Sequence, residues 1–165
     1  RVRRRRGGSA RRHGGTLTAM PSSVLLVSGP NLGLLGQREP DVYGTATLDD
    51  HVRAAREEAD ALGLSLEHEQ TERASRVVEL VHGARGIHAA IVINPGAFTH
   101  YAWSIHDALA AFDGVVVELH LSNPSAREAW RHTSVVSPVA DGVVAGFGGA
   151  GYRLAIRAVS MLIRA

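Results

Sequence analysis

Along the chain, short apolar runs alternate with stretches in which apolar residues recur every three or four positions. "VLLVS" (Val24 to Ser28) has the unbroken hydrophobicity of a buried strand. Thr47 then stands as an N-cap with Asp50 three residues on. Behind it Leu48, Val52, Ala55, Ala59 and Leu62 follow at helical spacing, and Gly63 closes the helix. "LSLEHE" (Leu64 to Glu69) alternates apolar and polar, as a strand near a sheet edge would, and "SRVVELVHGA" predicts a second, short helix. "AAIVIN" (Ala89 to Asn94) is apolar on both faces, the pattern of a central parallel strand. Ile105, Ala108, Leu109 and Phe112 mark a third helix ending at Gly114, and "VVVELH" (Val115 to His120) predicts a fourth strand. "NPSAREAW" puts Pro124 at a first helical position behind Asn123, predicting a short helix. "GVVAGF" (Gly142 to Phe147) is the fifth strand, and Tyr152, Ala155, Ile156, Val159 and Ile163 form the last helical face.

Five strands alternating with helices predict an α/β domain, a parallel sheet covered on both sides and wound right-handed. Such sheets bind ligands beyond the carboxyl ends of their strands, at the switch in strand order. The residues that follow each strand therefore matter most. Strand one runs into Asn31, Arg38 and Tyr43, strand three into "NPGAFTH" with Asn94 and His100, and strand four into "HLSN" with His120, Ser122 and Asn123. Strand two ends in "EQTERAS", which has the look of plain surface. "GPNLGLLGQREPDVYG" (Gly29 to Gly44) is far longer than the usual connection of about 2–6 residues, as lids and binding loops are.

Charge divides the chain. Of eighteen basic residues seven lie within the first twelve, "RVRRRRGGSARR", and no acid precedes Glu39. From Met20 onward eleven Arg face sixteen Asp and Glu, so the pI of 9.7 belongs to the start and the remainder is acidic. Residues 1–20 are expected to be a disordered Arg/Gly-rich extension, with "MPSSVLLV" a natural beginning and 21–165 a single α/β domain. A basic arm touching phosphates is the alternative. No apolar stretch reaches the ~20 residues of a membrane span, and no signal-peptide core follows the basic start. The expectation is a cytoplasmic enzyme with neither nucleic-acid nor membrane partners.

Two absences narrow the chemistry. Without Cys there is no thiolate nucleophile, disulfide or zinc–sulfur site. Without Lys there is no Schiff base, pyridoxal phosphate attachment or P-loop. Among strong bases, a tyrosinate is one of the few left. A phenol ionises near about pH 10 and an adjacent permanent cation lowers that; Arg38 beside Tyr43 would do so, unless Arg38 merely pairs with Glu39 or Asp41 at the surface. "HLSN" leads into a helix start where backbone N–H groups and Ser122 would cradle a carboxylate. Asp107 lies seven residues from His100, two turns on, a spacing that allows it to face away and serve a neighbouring subunit. A metal site from His100, His106, His120 and Asp107 is the rival, though the spacing fits no His-x-x-x-His pattern. His51, His68, His82 and His88 read as structural or solvent-facing. The glycines of "GPNLGLLG" are a poor phosphate loop, because leucines replace the small polar residues and no helix begins there.

"GPNLGLLGQREPDVYG", "IVINPGAFTHYAWSIHDAL", "VELHLSNPSARE" and "WRHTSVVSPVADGVVAGFG", in this order, resemble the type II 3-dehydroquinate dehydratases over Val24 to Leu162. The resemblance implies a flavodoxin-like three-layer sandwich with a five-stranded parallel sheet, assembled as a trimer or as a homododecamer of four trimers. It implies a lyase of the shikimate pathway, or of quinate breakdown, that converts 3-dehydroquinate to 3-dehydroshikimate without cofactor or metal. The other dehydroquinase family works through a lysine imine, so a chain lacking lysine is confined to an enolate. By the same resemblance Tyr43 takes the C2 proton and Arg38 lowers its pKa. Asn31 holds a water on the enolate oxygen, and His120 protonates the departing C1 hydroxyl. Asn94, Ser122 and the backbone N–H of Leu121 hold the carboxylate, His100 and Arg131 grip ring hydroxyls, and Asp107 reaches a neighbour's site. The long loop would close as a lid bearing Arg38 and Tyr43.

The chain departs from the family pattern at four places. Ser28 replaces the Asn of Asn-Gly-Pro-Asn, Phe98 a common Tyr, and His106 a usual Arg. "TERASR" (Thr71 to Arg76) replaces a Ser-Asn-x-Glu-Gly-Glu-like run. Two other functions fit the scaffold: a non-catalytic small-acid or flavin-binding module, and a sister hydro-lyase for a related cyclic acid.

Overall fold

The computed structural model describes residues 23–37 and 45–164. The predicted extension over 1–20, Arg38, Tyr43 and the lid expected between them fall outside the described residues. The strands are β1 (Ser23–Ser28), β2 (Ser65–Gln70), β3 (Ala90–Asn94), β4 (Val115–His120) and β5 (Gly142–Ala145). The helices are α1 (Leu48–Ala61), α2 (Ala74–Ala84), α3 (Trp103–Ala110) and α4 (Ala150–Ile163). All strands pair in parallel in the order β2-β1-β3-β4-β5. This is the flavodoxin-like order, whose switch point lies between β1 and β3.

Side-chain alternation assigns the strands' two faces to separate cores. Val24 and Leu26 of β1, Val92 of β3, and Val117 and Leu119 of β4 pack under α1 and α4. Leu25, Val27, Ile91, Ile93 and Val116 point the other way, under α2 and α3. β3 is buried at every position, whereas β2, on the edge, alternates between exposed and half-buried residues. Both patterns match the sequence expectation. Burying a Val, Leu or Ile side chain contributes about 1.5–3 kcal/mol, so these two layers dominate stability.

Local chemistry sets the helix limits. Thr47 and Asp50 form a reciprocal capping box, each side chain accepting the other's backbone N–H, and Gly63 leaves α1 at φ 72°. α3 stops at Ala110, short of Gly114. The N–H of Phe112 turns back to the carbonyl of Leu109, and the ring packs into the core beyond the helix end. The short helix expected at "NPSAREAW" is instead two 3₁₀ turns, Pro124–Ala126 and Ala129–His132. Asn123 caps the first through its side chain, and the extended backbone of Arg127 breaks the path between them.

β1, β2 and β3 end level, with Ser28 paired to both Gln70 and Asn94. Their exits are laced together. Gly29 donates its N–H to Asn94, and a Cβ on Gly29 would lie 2.5 Å from the carbonyl oxygen of Pro95. No side chain fits there, which is why glycine follows β1.

Candidate active site

The strand ends open into a cleft of about 160 Å³ lined by Asn31, Leu32, Asn94, His100, His120, Leu121, Ser122, Arg127, Trp130 and Arg131, among others. Seven of the predicted site residues thus meet in one place: Asn31, Asn94, His100, His120, Leu121, Ser122 and Arg131. Asp107 does not line it and is exposed on α3. No three His, Cys, Asp or Glu side chains gather as a metal site among the described residues, so the rival grouping of His100, His106, Asp107 and His120 does not form.

His120 is fixed by a residue the sequence reading passed over. Glu118, two positions earlier on the same face of β4, is completely buried. It accepts hydrogen bonds from His120 Nε2 at 2.8 Å, Thr99 Oγ1 at 2.6 Å, Ser134 Oγ at 3.0 Å and the hydroxyl of Ser137. Burial pushes the Glu118 carboxyl up, but the bonds from His120, Ser137 and Thr99 outweigh it and the net direction is down. An ionised carboxylate is acceptor-only, so Nε2 of His120 must carry a hydrogen, and Nδ1 is the nitrogen left for other work. The signal was a lone acid inside "VVVELH" in step with the terminal His.

Asn94 presents the opposite condition. It is 2% exposed; its Oδ1 accepts the N–H of Gly96 at 3.3 Å, while its Nδ2 has no partner. Buried donors are rarely left alone, and this one belongs to a residue that lines the cleft. Behind it the phenol of Tyr152 lies near Ser28 and Asn94 without a well-formed hydrogen bond to either, and burial pushes its pKa up to about 12 against the weaker pull of those two neighbours. Also lining the cleft, His100 Nδ1 donates to the carbonyl of Thr133 at 2.8 Å, leaving Nε2 as the ring's other polar atom. Its ring meets Trp130 edge-on, with centroids 5.2 Å apart. Arg131 is tied to Glu128 at 2.8 Å and lies 4.1 Å over Trp130, while Arg127, another lining cation missed in the sequence, also approaches Glu128.

The exit of β2 is not plain surface. Glu72 accepts the backbone N–H of Asn31 with both carboxylate oxygens, and Gln70 bridges Glu72 and Gly29. This corrects the sequence reading of "EQTERAS". Topology explains the miss, since only the placement of β2 beside β1 brings these residues to the site.

Residues 22–160 match the family model described as Dehydroquinase class II. The chain belongs to the class II dehydroquinase family. It is an enzyme of that kind, a lyase. The chain is 49% identical over 137 residues to 3-dehydroquinate dehydratase 2 of Pseudomonas aeruginosa, covering 83% of this chain and 93% of that one. It is 46% identical to the catabolic 3-dehydroquinase of Aspergillus clavatus, covering 86% and 95% of the two chains. The crystal structure of the type II dehydroquinase of Propionibacterium acnes superposes with a TM-score of 0.82 at 42% identity, over 86% of this chain and 98% of that one. The class II dehydroquinase resemblance seen in the four motifs is thereby borne out, as is the flavodoxin-like sheet. Two of this member's departures have structural partners. Ser28 Oγ lies 3.0 Å from Nε2 of His68, and His106 Nδ1 donates to the carbonyl of Val135 at 2.7 Å.

Proposed function

We propose that this chain dehydrates 3-dehydroquinate to 3-dehydroshikimate by anti elimination through an enolate, with Tyr43 as base and His120 as acid. The observation that carries the reading is the pairing, in one cleft, of an unpartnered buried donor on Asn94 with a histidine whose Nε2 is locked by a buried carboxylate. Asn94 Nδ2, Ser122 and the N–H of Leu121 hold the substrate carboxylate. His100 Nε2 and Arg131 hold ring hydroxyls.

A proton beside a ketone is acidic only when the enolate is stabilised as it forms, and preorganised donors do this best. Asn31, at the cleft's edge, orients a water on the developing oxyanion. The second step expels the C1 hydroxyl as water. With Nε2 committed to Glu118, the proton leaves His120 from Nδ1. Each general acid or base contributes typically 10²–10⁴-fold.

The base is Tyr43, made acidic by Arg38. Two other tyrosines exist in the chain. Tyr152 is held away from ionisation by burial, and Tyr101 is exposed and does not line the cleft. Asp107, exposed on α3, serves the cleft of a neighbouring copy in a trimer or dodecamer.

Purified protein supplied with 3-dehydroquinate should generate the ultraviolet absorbance of the conjugated enone acid, and Tyr43→Phe should abolish turnover while still binding a product analogue. A wild-type protein with no turnover would overturn the assignment, and an active Tyr43→Phe would remove the base.

A further inference from the structure

The segment leaving β2 has no part in the chemistry above, yet it holds down the most strained backbone beside the cleft. Among the described residues Asn31 is the one non-glycine with positive φ, at 64°. An L-residue keeps this left-handed conformation only where its surroundings hold it, and Asn is among the few that tolerate it. The Glu72 carboxylate supplies the hold, accepting the Asn31 N–H at 2.9 and 3.2 Å. Gln70 Nε2 donates to Glu72 at 2.8 Å and to the carbonyl of Gly29 at 3.2 Å, so the carboxylate is itself fixed. Thr71, buried between them, donates its N–H to Ser28 at 2.9 Å, and its hydroxyl accepts the N–H of Arg73. Glu72, Gln70 and Thr71 each reach the backbone of the β1 exit, and Glu72 does not itself line the cleft.

We propose that Glu72, fixed by Gln70, is a positioning residue for Asn31: it pins the left-handed turn so that the Asn31 amide stays at the cleft's edge, where the oxyanion forms. This rests on the role given to Asn31 above. The clamp is a charge-assisted N–H to carboxylate bond between two neighbouring strand exits, made on the exposed rim. Without it residue 31 relaxes to negative φ and its side chain leaves by another direction. Because the Asn31 contact matters as charge develops, the loss falls on kcat and leaves KM nearly unchanged.

The test uses the full chain with Glu72→Ala, Glu72→Gln, Asn31→Ala and the Asn31→Ala/Glu72→Ala double variant. Glu72→Ala should lower kcat roughly 10-fold with KM within about twofold, the size of effect expected when a charged hydrogen bond is removed. Glu72→Gln keeps one acceptor oxygen and should recover most of the rate. Since Glu72 acts only through Asn31, the double variant should be no slower than Asn31→Ala alone. Amide hydrogen exchange over residues 29–34, measured without substrate, should quicken in Glu72→Ala. Unchanged exchange overturns the clamp whether or not the protein turns over 3-dehydroquinate. Additive losses in the double variant, or a loss confined to KM, overturn its catalytic purpose. A wild-type protein inert towards 3-dehydroquinate but with quickened exchange in Glu72→Ala would refute the functional reading and the catalytic purpose together, leaving the clamp standing.

Discussion

Replacing Glu118 by Gln tests the centre of the site, because four donors converge on one wholly buried carboxylate. The substitution keeps the shape but turns one acceptor oxygen into an NH₂ group, setting a donor against a donor. A buried polar group left unsatisfied costs about 1–3 kcal/mol, and a hydrogen bond to a charged group is worth about 1.5–3 kcal/mol. A net loss of about 3 kcal/mol follows, and at roughly 2–4 °C per kcal/mol for a domain of this size that lowers Tm by about 6–12 °C. The amide oxygen can take the place of Oε1, which His120, Thr99 and Ser134 share, so the His120 ring keeps an acceptor but loses the carboxylate's charge, and kcat should fall about 10–100-fold, a factor of ten for each 1.4 kcal/mol. Thr99→Val is the graded control. It removes one donor of the four together with the Thr99–Ser134 contact, costs about 1.5–3 kcal/mol, and leaves the His120 bond in place. Urea unfolding followed by circular dichroism, with initial rates from enone absorbance, measures both quantities. A Glu118→Gln protein that melts with wild type and keeps its rate would refute the claim that this carboxylate holds the acid.

Gly29→Ala sets a Cβ 2.5 Å from the Pro95 carbonyl, a backbone atom that cannot swing aside. Overpacking of this kind costs about 1–3 kcal/mol, to be seen as a lower urea midpoint. Asn94→Asp puts a carboxylate where the substrate's own is held, so KM for 3-dehydroquinate should rise at least about 10-fold, a difference of about 1.4 kcal/mol in binding. Glu58 links α1 to α4 through Arg157 Nε at 2.6 Å and Arg153 Nε at 3.0 Å, and the Arg157 bond chiefly holds its carboxyl below the usual range. A folded-state pKa lowered in this way stabilises above the unfolded carboxyl's value of about 4.3 and is lost as pH falls through the folded value. Glu58→Gln should therefore be less stable than wild type at pH 7, with the two converging in acid, as thermal melts across pH would show.

What the sequence disclosed follows from the range of the forces involved. Apolar runs reveal β1, β3 and β4 because burial on both faces leaves no choice of side chain, and the Thr47–Asp50 box marks α1 because its partners are three residues apart. Asn94 and His120 stood out as the polar residues that end such runs. Glu118 did not, since its hydroxyl donors lie 16 and 19 residues away and only His120, two positions on, marks it locally. Glu72 was illegible for a similar reason, its partner being 41 residues distant on a neighbouring strand. The 3₁₀ turns after β4 escaped because Pro124 and Asn123 signal a helix start, while nothing local signals the extended Arg127 that interrupts it.

Proton exchange at C2 of the substrate, followed by NMR in heavy water, separates base from acid most directly. With His120→Asn, deuterium should still enter 3-dehydroquinate although dehydration stalls, whereas Tyr43→Phe should lose exchange and dehydration alike. Deuterium entering with Tyr43→Phe, or His120→Asn dehydrating at the wild-type rate, would contradict the enolate route as assigned.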